Sequence, residues 1–171
     1  MTDLQKKIRK SSRFTSMFFG YLCIFPFWGL LLACTNLWGL LRKDDRLLFT
    51  FAREAPKVSR GELFLYTLLM ISIYLLATWG MLMARSIFRQ ISEEYSPFNP
   101  MHVKKMRRIA LFSLICILGK ALLEGWAMVM QGGRFSPDIN LAWFLLPIVV
   151  YSFSFILDYA CQLQAEADTT L

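Results

Sequence analysis

The chain has 171 residues, of which 56% are hydrophobic and 15% aromatic, with a mean hydropathy of +0.45. Only 18% are charged, against about a quarter in soluble domains, and the charges cluster between four long apolar stretches. That pattern argues against a water-soluble globular domain, and it directs the formal net charge of +7 toward membrane topology and anionic headgroups before nucleic acid.

The first stretch, Phe14 to Leu41, exceeds the ~20 residues needed to cross a bilayer, and Pro26 is placed to kink it. A basic leader, KKIRKSSR, precedes it. The stretch is too long for the ~7–15-residue core of a cleaved signal peptide. LLAC, at Leu31 to Cys34, superficially matches a lipoprotein cleavage box, but Leu37, Trp38, Leu40 and Leu41 continue the apolar run, so an uncleaved signal anchor is expected. The second span is expected from Leu63 to Met83, opened by Gly61–Glu62 and closed by Arg85. The third is expected from Ile109 to Met130, between KKMRR and QGGR, and the fourth from Leu141 to about Leu157, with Pro147 inside it. Trp28, Trp38, Trp79, Trp126 and Trp143 mostly lie toward span ends, as interfacial belts favour. The expected fold is therefore all-α: an integral membrane four-helix bundle, one membrane domain over residues 1–171.

Lys and Arg in the short loops set the orientation. The leader and the second loop place eleven on one side, and the first and third loops place seven on the other. Both termini are expected in the cytoplasm of a bacterial inner membrane, with a cytoplasmic loop over 85–108 and a tail over 158–171. RLLFTF, in the first loop, is expected to cap the bundle.

The second loop reads EEYSPFNPMHVKKMRRIA. Asn99 is a good N-cap and Pro100 a favoured first helical residue, so a helix is predicted to start there. Val103, Met106 and Ala110 then share one face, leaving Lys104, Lys105 and Arg108 mostly toward headgroups or solvent. His102, the only histidine, has no second ligand nearby and reads as a solvated loop residue. The tail, DYACQLQAEADTTL, is acidic and lacks Lys and Arg; the helix is expected to continue into it. Lys104, Lys105, Arg107 and Arg108 on the loop, with Glu166 and Asp168 on the tail, are the candidate contacts for lipid or a cytoplasmic partner.

The pairing of SPFNPMHVKKMRRI with a terminal LQAEADTTL resembles a bacterial family of four-span membrane proteins catalogued as domain of unknown function 2975. The residues that carry the likeness are Phe98, Val103, Met106, Arg107, Arg108 and Ile109, then Leu163, Gln164, Glu166, Asp168, Thr170 and Leu171. Pro100, Met101, Met106 and Ala167 depart from the family's usual residues. The likeness covers the second half of the chain; the first half agrees only in its span pattern. It implies a regulatory module, because members are often encoded beside a small helix-turn-helix repressor, and it carries over no catalytic or ligand residue.

Enzyme signatures are scarce. The sequence has no GxSxG, HExxH or Gly-rich phosphate loop, and Asp44–Asp45 have no metal-ligand company. No catalytic activity, cofactor or metal is expected. Cys23, Cys34, Cys116 and Cys161 show no ligand or disulfide spacing and read as packing residues.

GKALLEG, at Gly119 to Gly125, places Lys120 and Glu124 within an apolar span, where each charge costs at least ~2.5–3.5 kcal/mol. At about 100° per residue, Ser113, Cys116, Lys120, Glu124, Ala127 and Gln131 form one polar and small-residue stripe, expected to face the bundle interior. Ser72, Tyr74 and Thr78 on span two, and Ser152 and Ser154 on span four, are the expected supporting partners. Structural neutralisation and a polar ligand or ion site both fit the pair.

The reading that follows is a non-enzymatic signalling or regulatory membrane protein contacting a cytoplasmic partner. A small transporter or channel subunit using Lys120 and Glu124 is the alternative. Implied partners are anionic headgroups at the basic loops and a cytoplasmic protein regulator, with homo-oligomerisation open and no direct nucleic-acid binding.

Overall fold

The structure is a computed structural model and describes residues 3–44, 58–94 and 99–169. RLLFTF, Asp45 and the terminal Thr170 and Leu171 lie outside the described residues, as does Phe98. The fold is all-α, with no strand among the described residues. Its elements are α1 (Asp3–Leu22), α2 (Ile24–Arg42), α3 (Arg60–Glu94), α4 (Pro100–Met130) and α5 (Ala142–Thr169).

Helices α1 and α2 form one apolar segment interrupted only at Cys23. Pro26 accounts for the break, because it has no N–H for the Leu22 carbonyl one turn back and its ring crowds that position. With that segment counted once, four helices are long and apolar enough to cross a membrane. In each, at most 22% of the most apolar stretch is buried against the rest of the chain. Such surface would be untenable in water, whereas in lipid it is the outward face of a spanning helix.

The helix ends follow from local chemistry. At the end of α2, the Asp44 N–H donates to the Gly39 carbonyl at 3.0 Å around Lys43, whose φ of 59° is left-handed. Helix α3 opens with a reciprocal capping box: the Glu62 N–H donates to Ser59 Oγ at 3.2 Å, and the Ser59 N–H donates to Glu62 Oε2 at 3.0 Å. Val58, just before the cap, packs on the cluster that contains Leu63, the hydrophobic staple that goes with such a box. Helix α4 opens as expected, with the Met101 N–H donating to Asn99 Oδ1 at 2.9 Å and Pro100 at the first helical position. It closes on a Schellman motif. Gly132, at φ 84°, donates to Val129, and Gly133 donates to Met128, both at 2.9 Å.

The expected loop over 85–108 is largely helical. Helix α3 runs on to Glu94, supported by an Arg89–Glu93 ion pair at 3.0 Å one turn apart, and α4 begins at Pro100. Helix α5 continues past Leu157 to Thr169, as the tail suggested.

Contacts divide the chain into two compact units. The first contains Met1–Ile24, Trp79–Leu114 and Ala142–Leu171. There α1 runs antiparallel to the end of α3: Ser12 Oγ donates to the Phe88 carbonyl, Ser16 Oγ donates to the Arg85 carbonyl at 3.4 Å, and Phe19 stacks on Phe88 at 5.6 Å. Ala84, Ile87, Val103 and Ala110 are buried. The second contains Phe25–Thr78 and Ile115–Leu141. Its core is Leu63, Tyr66, Leu123 and Met130, with Trp126 edge-on to Tyr66 at 6.1 Å. A buried hydrogen bond, Asn36 Nδ2 to Thr67 Oγ1 at 2.7 Å, ties α2 to α3.

Candidate functional site

Two places collect the residues singled out by sequence. The first is the basic end of the first unit, built on the start of α4. The Asn99 cap sets the register so that Val103 and Ala110 are buried and Met106 is half-buried, the face expected. Lys104 and Arg108 project outward. Lys105 differs from expectation. Its Nζ turns back to α3 and donates to Ser86 Oγ at 3.0 Å and Gln90 Oε1 at 2.9 Å, because the extra turns of α3 bring two oxygens within reach. Arg107 reaches α5, donating to Asp158 Oδ2 at 2.7 Å with its guanidinium 5.1 Å from the Phe155 ring centre. A charge-assisted bond and a cation–π contact thus hold α5 at one point.

His102 corrects the sequence reading. It is fully buried in the first turn of α4, its N–H donating to the Asn99 carbonyl at 2.8 Å. Its place next to Val103, on the buried side, decides this, not the loop around it. Further along α5, Glu166 is exposed on the helical tail, with its carbonyl accepting from Thr169 Oγ1 at 2.8 Å. The Asp168 side chain lies outside the described residues.

The second place is the intramembrane pair. Lys120 Nζ and Glu124 Oε1 are 3.4 Å apart, as the i,i+4 spacing requires. Their side chains are 68% and 40% exposed. The expected inward orientation is met only in part: Cys116 faces the Ile73 carbonyl on α3 and Ala127 packs against the core cluster, while Glu124 is half-buried and Lys120 exposed. Gly119, Leu123 and Met130 form one packed sector of α4, with Ala121 and Gly125 buried on another side, and at 100° per residue Lys120 falls about a quarter-turn beyond the first. Close approaches on this helix fall at its glycines. A Cβ on Gly119 would meet Ile73 Cδ1 at 2.7 Å, and one on Gly125 would meet the Phe135 ring at 2.6 Å, so the two glycines, not the charges, take the close contacts.

The stripe's other members disperse. Ser113, in the first unit, donates to the Ala110 carbonyl at 2.9 Å; Cys116 Sγ lies 3.7 Å from the Ile73 carbonyl; Gln131 is exposed past the helix end. The hydroxyls expected to support the pair bond their own helices, Ser72 to Leu68, Thr78 to Tyr74 and Ser154 to Tyr151. A fully buried polar link that joins two helices of the second unit is Asn36–Thr67, and Asn36 sits in TNLWG, where its polarity was the available signal.

No family model, curated protein or solved structure matches the chain. The likeness to the four-span family rests on the motifs quoted above. All four cysteines are free thiols, and among the described residues no group of three His, Cys, Asp or Glu side chains could hold a metal.

Proposed function

We propose that this is a non-enzymatic regulatory protein of a bacterial inner membrane, with both termini cytoplasmic, that binds a cytoplasmic protein through the start of α4 and the end of α5. One observation carries the reading: Lys105 and Arg107 are tied to α3 and α5, while Lys104 and Arg108, beside them, stay exposed. Two cations on a braced helix lose little entropy on meeting an acidic surface, which is the economy of a preorganised contact. The acidic, helical tail adds a surface of opposite sign. The likeness to the four-span family supports a small helix-turn-helix regulator as the partner.

Affinity capture tests this. The tagged, detergent-solubilised protein, expressed in its native host, is expected to retain a small helix-turn-helix protein, and Lys104→Glu with Arg108→Glu is expected to lose it. Capture by neither form, or equally by both, counts against the reading. The outward Lys120 favours a second reading, a small transporter or channel subunit with a polar surface at membrane depth. There Glu124→Gln abolishes solute flux in liposomes; unchanged or absent flux removes that reading.

A further inference from the structure

The basic end of the first unit holds cations that the partner surface does not use. Arg9 and Arg13 on α1 and Arg89 on α3 line a cavity of about 390 Å³, together with Met17 and one acid, Glu93. Across Arg89 lies a second hollow of about 480 Å³, lined by Leu82, Arg85 and Arg89, with the same Glu93. Among the described lining residues Glu93 is the single carboxylate in either, and it is paired to Arg89 at 3.0 Å. Arginines outnumber carboxylates in the described lining of both hollows.

Their level along the helices is set by the α1–α3 contacts. Ser12 meets Phe88 and Ser16 meets Arg85, so Arg13 and Arg89 share one height. That height lies just before the apolar stretch of α1 begins, at Phe14, and about 9 Å beyond where that of α3 ends, at Met83. Arg9 and Arg13 precede the apolar stretch of α1 and Arg85 and Arg89 follow that of α3, while Met17 and Leu82, both exposed, border the hollows on the apolar side. Arg85 reaches further along α1: its guanidinium carbon lies 3.5 Å from where a Cβ on Gly20 would stand.

A soluble anion would use the arginines and leave the apolar rim idle. A molecule with a phosphate head and an acyl tail uses both. We infer that the paired hollows at Arg9, Arg13, Arg85 and Arg89 form a binding site for the headgroup phosphate of an anionic phospholipid, with its chains along Met17 and Leu82. Guanidinium forks suit phosphate oxygens, and basic recesses between spanning helices are where such headgroups settle.

The test uses the full chain reconstituted in phosphatidylcholine vesicles, with spin-labelled phosphatidylglycerol as probe and spin-labelled phosphatidylcholine as reference. The wild type is expected to favour the anionic lipid. Arg13→Gln, and separately Arg9→Gln, is expected to lower that preference about five-fold. Lys7→Gln with Lys10→Gln, which removes as much exposed charge from α1 outside the hollows, is expected to leave it within about two-fold. Circular dichroism and monodispersity qualify each variant, and two independent single variants guard against one that does not fold. An unchanged preference in both arginine variants, or an equal loss in the Lys7 and Lys10 control, overturns the site. Displacement of the labelled lipid by millimolar inorganic phosphate overturns the lipid as ligand in favour of a soluble phosphate.

Discussion

Lys120 and Glu124 sit one helical turn apart in an apolar span, with Lys120 exposed and Glu124 half-buried. Their ion pair at 3.4 Å offsets charge on both. Lys120→Met leaves a carboxylate without its counter-ion at membrane depth, a cost of about 2–3 kcal/mol on insertion scales. Adding Glu124→Leu removes that charge too, so the double variant is expected to unfold at a higher temperature in detergent than the single one. If it also loses function, the pair serves more than neutralisation. Thr67 makes the opposite case, a hydroxyl fully buried between helices. Thr67→Val keeps the shape, deletes the acceptor for Asn36 Nδ2, and is expected to cost about 1 kcal/mol, read as a lower unfolding midpoint.

At the scale of the element, glycines separate close packing from plain helix propensity. A Cβ on Gly29 falls within clash distance of the Tyr74 ring, whereas one on Gly61 meets nothing nearer than Ser59 Oγ at 3.8 Å. Gly29→Ala is expected to destabilise by about 1–3 kcal/mol, and Gly61→Ala to be neutral or stabilising by up to about 1 kcal/mol. Equal effects in thermal melts would contradict this packing of α2 on α3. The contrast also shows what sequence makes legible. Apolar length, the Asn99–Pro100 start, the QGGR stop and the break near Pro26 are local, so they could be read from the sequence. The Ser59–Glu62 capping box was equally local and marks the start of α3. Asn36–Thr67 joins residues 31 apart, and Lys105 bonds oxygens 15 and 19 residues away. Such contacts depend on the register between helices, which periodicity within one helix does not contain. The same limit explains the polar stripe: its members share an azimuth on α4, yet Cys116 and Ala127 meet packed neighbours while Lys120 stays exposed.

For the whole molecule, four helices are long and apolar enough to cross a membrane, and the cations concentrate in the leader and the first two connecting segments. The proposed partner surface and the proposed lipid site both lie at the basic end of the first unit. Both therefore require that end to face the cytoplasm, as the distribution of Lys and Arg favours. The third loop, with its single Arg134, would then lie outside. Single cysteines at Lys104 and at Arg134, introduced after the four native cysteines are replaced, report on this directly through a membrane-impermeant maleimide. The account predicts that in intact cells Arg134→Cys is labelled, while Lys104→Cys is labelled only once the membrane is opened. Labelling of Lys104→Cys from outside intact cells would contradict it.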